Sequence, residues 1–308
     1  MFKRNIDMAR MNQQTLNTLN SCVKSIFNKA LKESSPLYPQ ITTKAASSGS
    51  VNVYATLGAF PSLREWVGDR VVKSLSVSSF TIENRKFEST VSISREQIED
   101  DQIELFGSVI RDMSESAAIH PDELLFELIK KGFVQKCYDG VPFFSENHPV
   151  TVGTETKTVS NILLPKGKEE SPLWLLIDNS RAVNPFIWQE RIPYSIDIID
   201  DGNNRDVFMR DEYFYGIRGR GNMGYGLWQL AFASKAPLTH DNFKTLYDNM
   251  SLQKNDAGRP LRVTPKLLIV GQSNREAAFK IAKASILDTL APNPNCGLVD
   301  VIVTPFLD

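Results

Sequence analysis

Leu57-Gly-Ala-Phe-Pro-Ser-Leu-Arg-Glu-Trp66-Val-Gly-Asp-Arg70, continuing through residues 71–94 into Arg95-Glu-Gln-Ile-Glu-Asp-Asp101, is the stretch whose reading decides the fold. Between Leu75 and Ile93 the apolar residues Leu75, Val77, Phe80, Ile82, Phe87, Val91 and Ile93 mostly alternate with Ser, Thr and charged residues, the period of a strand with one dry face. This predicts a hairpin with its turn at Glu83-Asn84-Arg85-Lys86 and a bulge where the alternation slips between Val77 and Phe80. Arms this long and this rich in Ser cannot bury themselves on each other. Such a hairpin needs a neighbour to lie on.

On the C-terminal side, Ile103, Phe106, Val109, Ile110, Met113 and Ala117 keep three- and four-residue steps, so residues 96–119 read as a long helix. The acidic cluster Glu96, Glu99, Asp100 and Asp101 suits the positive end of its dipole; it lacks the Gly turn and spaced ligands of a hard-cation loop. Ile119-His120-Pro121 interrupts the pattern, and Pro121 is expected to open a second helix carrying Leu124, Leu125, Leu128 and Ile129, with Gly132 as its end. On the N-terminal side, residues 1–44 hold seven basic side chains (Lys3, Arg4, Arg10, Lys24, Lys29, Lys32, Lys44) against Asp7 and Glu33. Leu16, Leu19, Val23, Ile26, Phe27 and Leu31 follow helical spacing there. The Ser- and Pro-broken stretches 33–39 and 45–50 read as linkers, so the segment is either a tethered arm able to reach away from its own core or a solvated helix face on a domain edge.

The whole chain of 308 residues, 42% hydrophobic and 23% charged, has the composition of a soluble globular protein with one large core or two modest ones. A formal net charge of −1 excludes an overall field that drives binding to nucleic acid or to a membrane. No apolar run is long enough to span a bilayer, and no continuous apolar core follows the charges at Met1-Phe-Lys-Arg-Asn-Ile-Asp7. Three widely spaced cysteines, Cys22, Cys137 and Cys296, suit reduced thiols in a cytoplasm, and no structural disulfide is expected.

Two motifs invite chemistry. Cys137-Tyr-Asp-Gly140 and His148 are close in sequence, but no second Cys or His lies at ligand spacing, so a packed Cys and a loop His are expected in place of a zinc site. Spacing leaves a Cys137/His148 nucleophile pair open, since catalytic partners need not be sequence neighbours. Gly219-Arg-Gly221-Asn-Met-Gly224 satisfies the G-x-G-x-x-G pattern behind the strand-like residues 212–217. A dinucleotide site then requires a full helix, a second strand and an acidic residue within one βαβ unit, whereas this chain reaches Pro237 and a new helix capped by Thr239 and carrying Phe243, Leu246, Tyr247 and Met250. The glycines are read as a tight strand connection, and no metal, cofactor or catalytic residue is assigned. Residues 261–270 then read as a strand, Ser273-Asn-Arg-Glu276 as a capping box opening a helix through Ala278, Ile281, Ile286 and Leu290, and residues 297–304 as a closing strand: an α/β unit.

Leu63-Arg-Glu-Trp66-Val-Gly-Asp-Arg70, Asn84-Arg-Lys-Phe-Glu-Ser-Thr90, His120-Pro-Asp-Glu-Leu124, Cys137-Tyr-Asp-Gly140-Val-Pro-Phe-Phe144, Asn184-Pro-Phe-Ile-Trp-Gln-Glu-Arg191 and Gly224-Tyr-Gly-Leu-Trp-Gln-Leu-Ala231 resemble, in order, the Mu-like phage major head subunit family. The resemblance covers nearly the whole chain and is weakest before residue 50 and at 151–168. It implies an α+β tailed-phage major capsid fold of the Hong Kong 97 type. Residues 1–50 would be the N-terminal arm, 51–95 the entry segment and extended hairpin loop, 96–236 the peripheral domain with its spine helix, and 237–308 the axial domain. It also implies self-assembly of hexamers and pentamers into an icosahedral virion shell around non-specifically held double-stranded DNA, made in a bacterial host cytoplasm, with scaffold, portal and decoration proteins as partners. Phe80, Ile82, Glu83, Asn84, Arg85, Lys86 and Phe87 become the expected inter-subunit contacts, and Phe87→Asp is expected to leave the subunit folded while blocking shell closure. Lys86 and Asn84 are read as a polar turn without cross-linking chemistry. A cellular nanocompartment shell of the same fold and a dinucleotide-dependent enzyme using the Gly219 loop stand as alternatives.

Overall fold

The computed structural model describes residues 13–47, 49, 51–57, 77–99, 103–152, 155–167, 169–254, 259–287 and 289–308. The entry segment around Trp66, and Asp100 and Asp101, lie outside them. In chain order the elements are α1 (Gln13–Glu33), α2 (Tyr38–Ile41), β1 (Thr42–Ala46), β2 (Val51–Leu57), β3 (Val77–Glu83), β4 (Arg85–Ser94), α3 (Arg95–Glu99), α4 (Ile103–Lys131), β5 (His148–Val152), β6 (Glu155–Val159), β7 (Ile162–Leu163), β8 (Trp174–Ile177), β9 (Phe186–Ile199), α5 (Arg205–Arg210), β10 (Glu212–Tyr225), β11 (Ala231–Ser234), α6 (His240–Ser251), β12 (Leu267–Val270), α7 (Arg275–Ala282) and β13 (Asp300–Val303). They form a four-stranded sheet β1-β9-β10-β4, a five-stranded sheet β13-β12-β8-β11-β7, and two ribbons, β2-β3 and β5-β6.

Two long elements hold these layers together. The first half of α4 buries Phe106, Ile110, Met113 and Ala117 against Leu19, Val23 and Phe27 of α1 and against Tyr213, Tyr215 and Ile217 of β10. The second half buries Leu124, Leu125, Leu128 and Ile129 in another core with Phe143, Phe186, Trp188 and Tyr225. Each of the larger of these side chains contributes about 1.5–3 kcal/mol of burial. That packing explains why α4 runs unbroken through Pro121, where a second helix was expected to start. The missing proline N–H costs a hydrogen bond, and tertiary contacts on both sides offset it.

In the five-stranded sheet, alternate residues serve opposite faces. Leu175, Ile177, Leu267 and Ile269 join the α4 core, while Trp174, Leu176, Leu268 and Val270 face α6 and α7. This sheet draws β7, β8 and β11 from residues 162–234, so its strands are not confined to the stretch after 237. The α6 cap is as expected, with Thr239 Oγ1 accepting from Asn242 N at 3.2 Å. The other C-terminal expectations change. Only Leu267–Val270 of the expected strand is extended, and the helix stops at Ala282. Asn293 captures its terminal carbonyls, donating Nδ2 to Ile281 O at 2.9 Å and Ala284 O at 2.7 Å, which leaves Ile286 and Leu290 exposed. The Ser273 capping box is replaced by Asp308, which accepts from Gln272 N at 2.6 Å and from Ser273 N at 3.0 Å.

Of the two forms expected for the N-terminal segment, α1 takes that of a helix with one solvated face. From Gln13 onward it is docked, because Leu16, Leu19, Val23 and Phe27 are buried in the first α4 core, with Lys24, Lys29 and Lys32 on the outer face. Ala45 and Ala46, read as linker, belong to β1, which pairs in parallel with β9. Asp122 of α4 fastens the turn before it, accepting from Leu37 N at 2.8 Å and Tyr38 N at 2.6 Å. Among the described residues no helix is long and apolar enough to cross a membrane.

Candidate assembly site

Both strands of the expected hairpin exist, but they do not pair with each other. β3 pairs antiparallel with β2, from Val51↔Glu83 to Leu57↔Val77, while β4 pairs with β10 from Glu212↔Ser94 to Gly221↔Arg85. Glu83-Asn84-Arg85-Lys86 is therefore no turn. Asn84 is the single residue at which the chain leaves the ribbon and enters the four-stranded sheet, and the ribbon's connection falls at residues 58–76, outside the described residues. The alternation of residues 75–93 could not reveal this, since two consecutive strands have the same period whether or not they pair with each other.

Asn84 is the centre of a fixed root. Its Nδ2 donates to Ser47 Oγ at 2.9 Å and to Gly49 O at 2.8 Å, and its Oδ1 accepts from Gln189 Nε2 at 2.8 Å. The same Gln189 amide, fully buried, reaches Ile82 O at 3.1 Å, and Asn222 Nδ2 donates to Glu83 O at 2.8 Å. Ile82 is buried at the root, and a methyl group on Gly224 would collide with its side chain. Of the residues expected to touch other subunits, Ile82 and Asn84 thus have partners inside their own subunit. Phe87 is half-buried on β4, its ring 4.2 Å from that of His120, beside a cleft of about 370 Å³ that Met113, Ala117, Tyr194 and Ile217 also line. Burial there pushes His120 below its ordinary value. Glu83, Arg85 and Lys86 are exposed, and Phe80 is placed by backbone register opposite Tyr54.

The glycine motif is strand interior. All of Gly219-Arg-Gly221-Asn-Met-Gly224 lies within β10, with register shifts against β9 between Arg218 and Gly221, so no helix follows to receive a pyrophosphate. A Cβ on Gly219 would lie 2.6 Å from the Tyr194 ring, and one on Gly221 2.6 Å from Gln189 O. These glycines let backbone and aromatic rings approach closely, and they are not the strand connection that was expected.

Cys137 and His148 do come together, with Asp139 between them. Cys137 Sγ donates to Asp139 Oδ1 at 3.0 Å, and Asp139 Oδ2 lies 2.6 Å from His148 Nδ1. Burial pushes the Cys137 thiol up to about 12, reinforced by the carboxylate that accepts its proton, which removes it as a nucleophile at neutral pH. Burial alone would raise Asp139, but hydrogen bonds from His148 and Cys137 outweigh it and hold the carboxyl below its usual range. Sequence reasoning looked for a second Cys or His and passed over this aspartate, two residues away.

A family model described as the Mu-like prophage major head subunit gpT matches residues 16–307. The chain belongs to this family. The Mu-like prophage FluMu major head subunit of Haemophilus influenzae is 36% identical over 264 residues, which cover 84% of this chain and 86% of that one. The major capsid protein of Escherichia phage Mu is 35% identical over 289 residues, covering 91% and 94%. Among solved structures, a chain of the procapsid of bacteriophage JBD30 superposes with a TM-score of 0.87 at 39% identity, covering 96% of this chain and all of that one. A chain of the JBD30 capsid gives 0.79 at 28% identity, covering 97% and 100%. The gpT-family chain thus has the tailed-phage major capsid fold and is a major capsid protein of the Mu-like type, a component of the virion.

Proposed function

We propose that this gpT-family subunit assembles into hexamers and pentamers that close an icosahedral shell around double-stranded DNA, and that the β2-β3 ribbon is the element that laps a neighbouring copy. The observation that carries the reading is the contrast between the ribbon and its root. An isolated two-stranded ribbon is marginal in water, and β2-β3 is a sheet of its own on a base fixed by Asn84, Gln189 and Asn222. A fixed base aims the ribbon, and a neighbouring copy supplies the surface it lacks; repeated around a closed shell, such contacts reinforce one another. Glu83, Arg85 and Lys86 remain the candidate contacts near the root, and Phe80 further out. In this reading 1–50 is an N-terminal segment of which α1 is docked, α4 is the spine helix of the peripheral domain, and the axial domain is the five-stranded sheet with α6 and α7.

Near-neutral charge agrees with a container, because a closed wall confines DNA without neutralising each phosphate. The role is structural, without catalysis. The solved JBD30 capsid is decorated with minor capsid protein trimers, and a decoration partner of that kind, a scaffold and a portal belong to this reading, with assembly in the host cytoplasm. The test is electron microscopy with light-scattering mass on the full chain co-expressed with its gene neighbours. A parallel variant has residues 53–81 replaced by a short Gly-Ser turn, which the Asn52↔Ile82 pairing allows and which keeps the buried Ile82 of the root. Closed shells from the parent and folded, unassembled subunits from the variant are expected; normal shells from the variant would end the ribbon's role.

A further inference from the structure

Asn161 is fully buried and commits its amide to one orientation. Nδ2 donates to Phe143 O at 2.8 Å and Ala231 O at 3.2 Å, while Oδ1 accepts from Ser145 N at 2.8 Å. The oxygen is therefore the atom that faces His148 Nε2 at 3.1 Å, and it can only be met there by an N–H. This places a hydrogen on His148 Nε2. The ring is held in place by stacking on Trp228, with centroids 4.0 Å apart and planes 11° from parallel. His148 Nδ1 faces Asp139 Oδ2, 2.6 Å away, so a positive species, either a ring proton or a cation, lies between them. Cys137 completes the surroundings: one donor atom from each of the three residues lies within 4.8 Å of the others, with His148 fully buried and the Asp139 side chain 9% exposed.

We propose that Cys137 Sγ, an Asp139 carboxylate oxygen and His148 Nδ1 bind one divalent transition-metal ion of the zinc class, with Asn161 orienting the histidine from behind. A thiolate, a carboxylate and an imidazole are the ligand types this class takes, and a histidine ligand whose far N–H is held by a carbonyl is the usual outer-shell arrangement. On binding, the thiol proton leaves to solvent; thiolate and carboxylate then balance the dication, and the fourth tetrahedral position goes to water. Ligands about 2.0–2.3 Å from zinc sit roughly 3.4–3.6 Å from one another. The carboxylate therefore draws back by less than about 1 Å from its present 2.6 and 3.0 Å contacts. The ion would clip the loop between α4 and β5, which carries Phe143 and Phe144 into the core, to the base of the β5-β6 ribbon.

The test uses the full chain with the exposed Cys22 and Cys296 changed to Ser, so that Cys137 is its one thiol. Cobalt(II) is titrated into chelator-stripped protein. The proposal expects one cobalt per chain, a thiolate-to-cobalt charge-transfer band, displacement by zinc, and an affinity lowered at least 10-fold by Cys137→Ser. No band, or a band that survives Cys137→Ser, would overturn it. If that variant fails to fold, the His148 ring ¹⁵N shifts of the parent decide: zinc must move Nδ1 to a metal-bound value while Nε2 stays protonated. A ring that keeps a proton on both nitrogens when zinc is added means a proton occupies the ion's place, and the proposal fails.

Discussion

Gln189 Nε2 donates to Asn84 Oδ1 at 2.8 Å, joining a fully buried residue of β9 to the one residue that separates the ribbon from the sheet. Because Asn84 also donates to Ser47 and Gly49, Asn84→Ala removes three hydrogen bonds and leaves the Gln189 amide short of an acceptor. A loss of about 1–3 kcal/mol is expected in denaturant melts. If the ribbon is aimed by this root, shell yield by electron microscopy falls further than the stability loss accounts for. Lys86→Ala, at an exposed position, should stay within about 0.5 kcal/mol of the parent. Equal shell yields from the two variants would dismiss the root as an aiming device.

Phe87→Asp, read from sequence as a clean assembly block, becomes a stability variant. Phe87 lies on β4 opposite Gly219, packs against the α4 core and meets the His120 ring edge-on. A carboxylate there loses the ring's burial and enters a half-dry cleft with only the Arg85 guanidinium near it, at a cost of about 2–4 kcal/mol. A lowered melting temperature of the isolated subunit is the expected result. A subunit that melts like the parent would restore the original reading of Phe87 as an outward contact.

What the sequence made legible follows its strongest periodicities. The α1 stripe, both halves of α4 and the α6 cap were readable because each is a local pattern: a repeat of three and four residues, or a Thr three residues before a free N–H. Partners distant in the chain were not. Nothing local at residues 75–93 tells that β3 returns to β2, 20 or more residues upstream, while β4 pairs with β10. Asn293 ends α7, and Asp308 satisfies the N–H groups ahead of it, from positions no window around residue 275 contains. The Cys137 and His148 pair was visible in sequence, yet Asp139, the residue that joins them, carries no spacing signal of its own within Cys137-Tyr-Asp-Gly140.

Gly221→Ala and Gly224→Ala should both destabilise, for different reasons. At Gly221 the added methyl meets the Gln189 backbone carbonyl at 2.6 Å and the Trp188 ring at 2.8 Å, so β9 itself has to shift. At Gly224 it meets the Ile82 side chain, which has rotamers to try. The expected cost is about 2–4 kcal/mol for Gly221→Ala and about 1–2 kcal/mol for Gly224→Ala, read from chemical denaturation midpoints. Adding Ile82→Val to Gly224→Ala should recover part of the loss, and the same change added to Gly221→Ala should recover none. Rescue of both or of neither would contradict this placement of the clash.

Asp122 carries the pH prediction. Burial raises its carboxyl above the ordinary 3.8, and the N–H groups of Leu37 and Tyr38 only partly offset that. The native state therefore holds this proton more tightly than the unfolded chain does. The stability contributed by the neutral form is complete below the unfolded value and is lost as pH rises through the raised native one. Asp122→Asn has no such titration, though its single oxygen serves only one of the two N–H groups and costs about 1 kcal/mol at low pH. Melts across the acid to neutral range should then show the variant gaining on the parent as pH rises past 3.8, with the difference flattening above the native value. A gap that widens against the variant over that interval would mean that the two N–H bonds outweigh burial, and that the native carboxyl lies below 3.8.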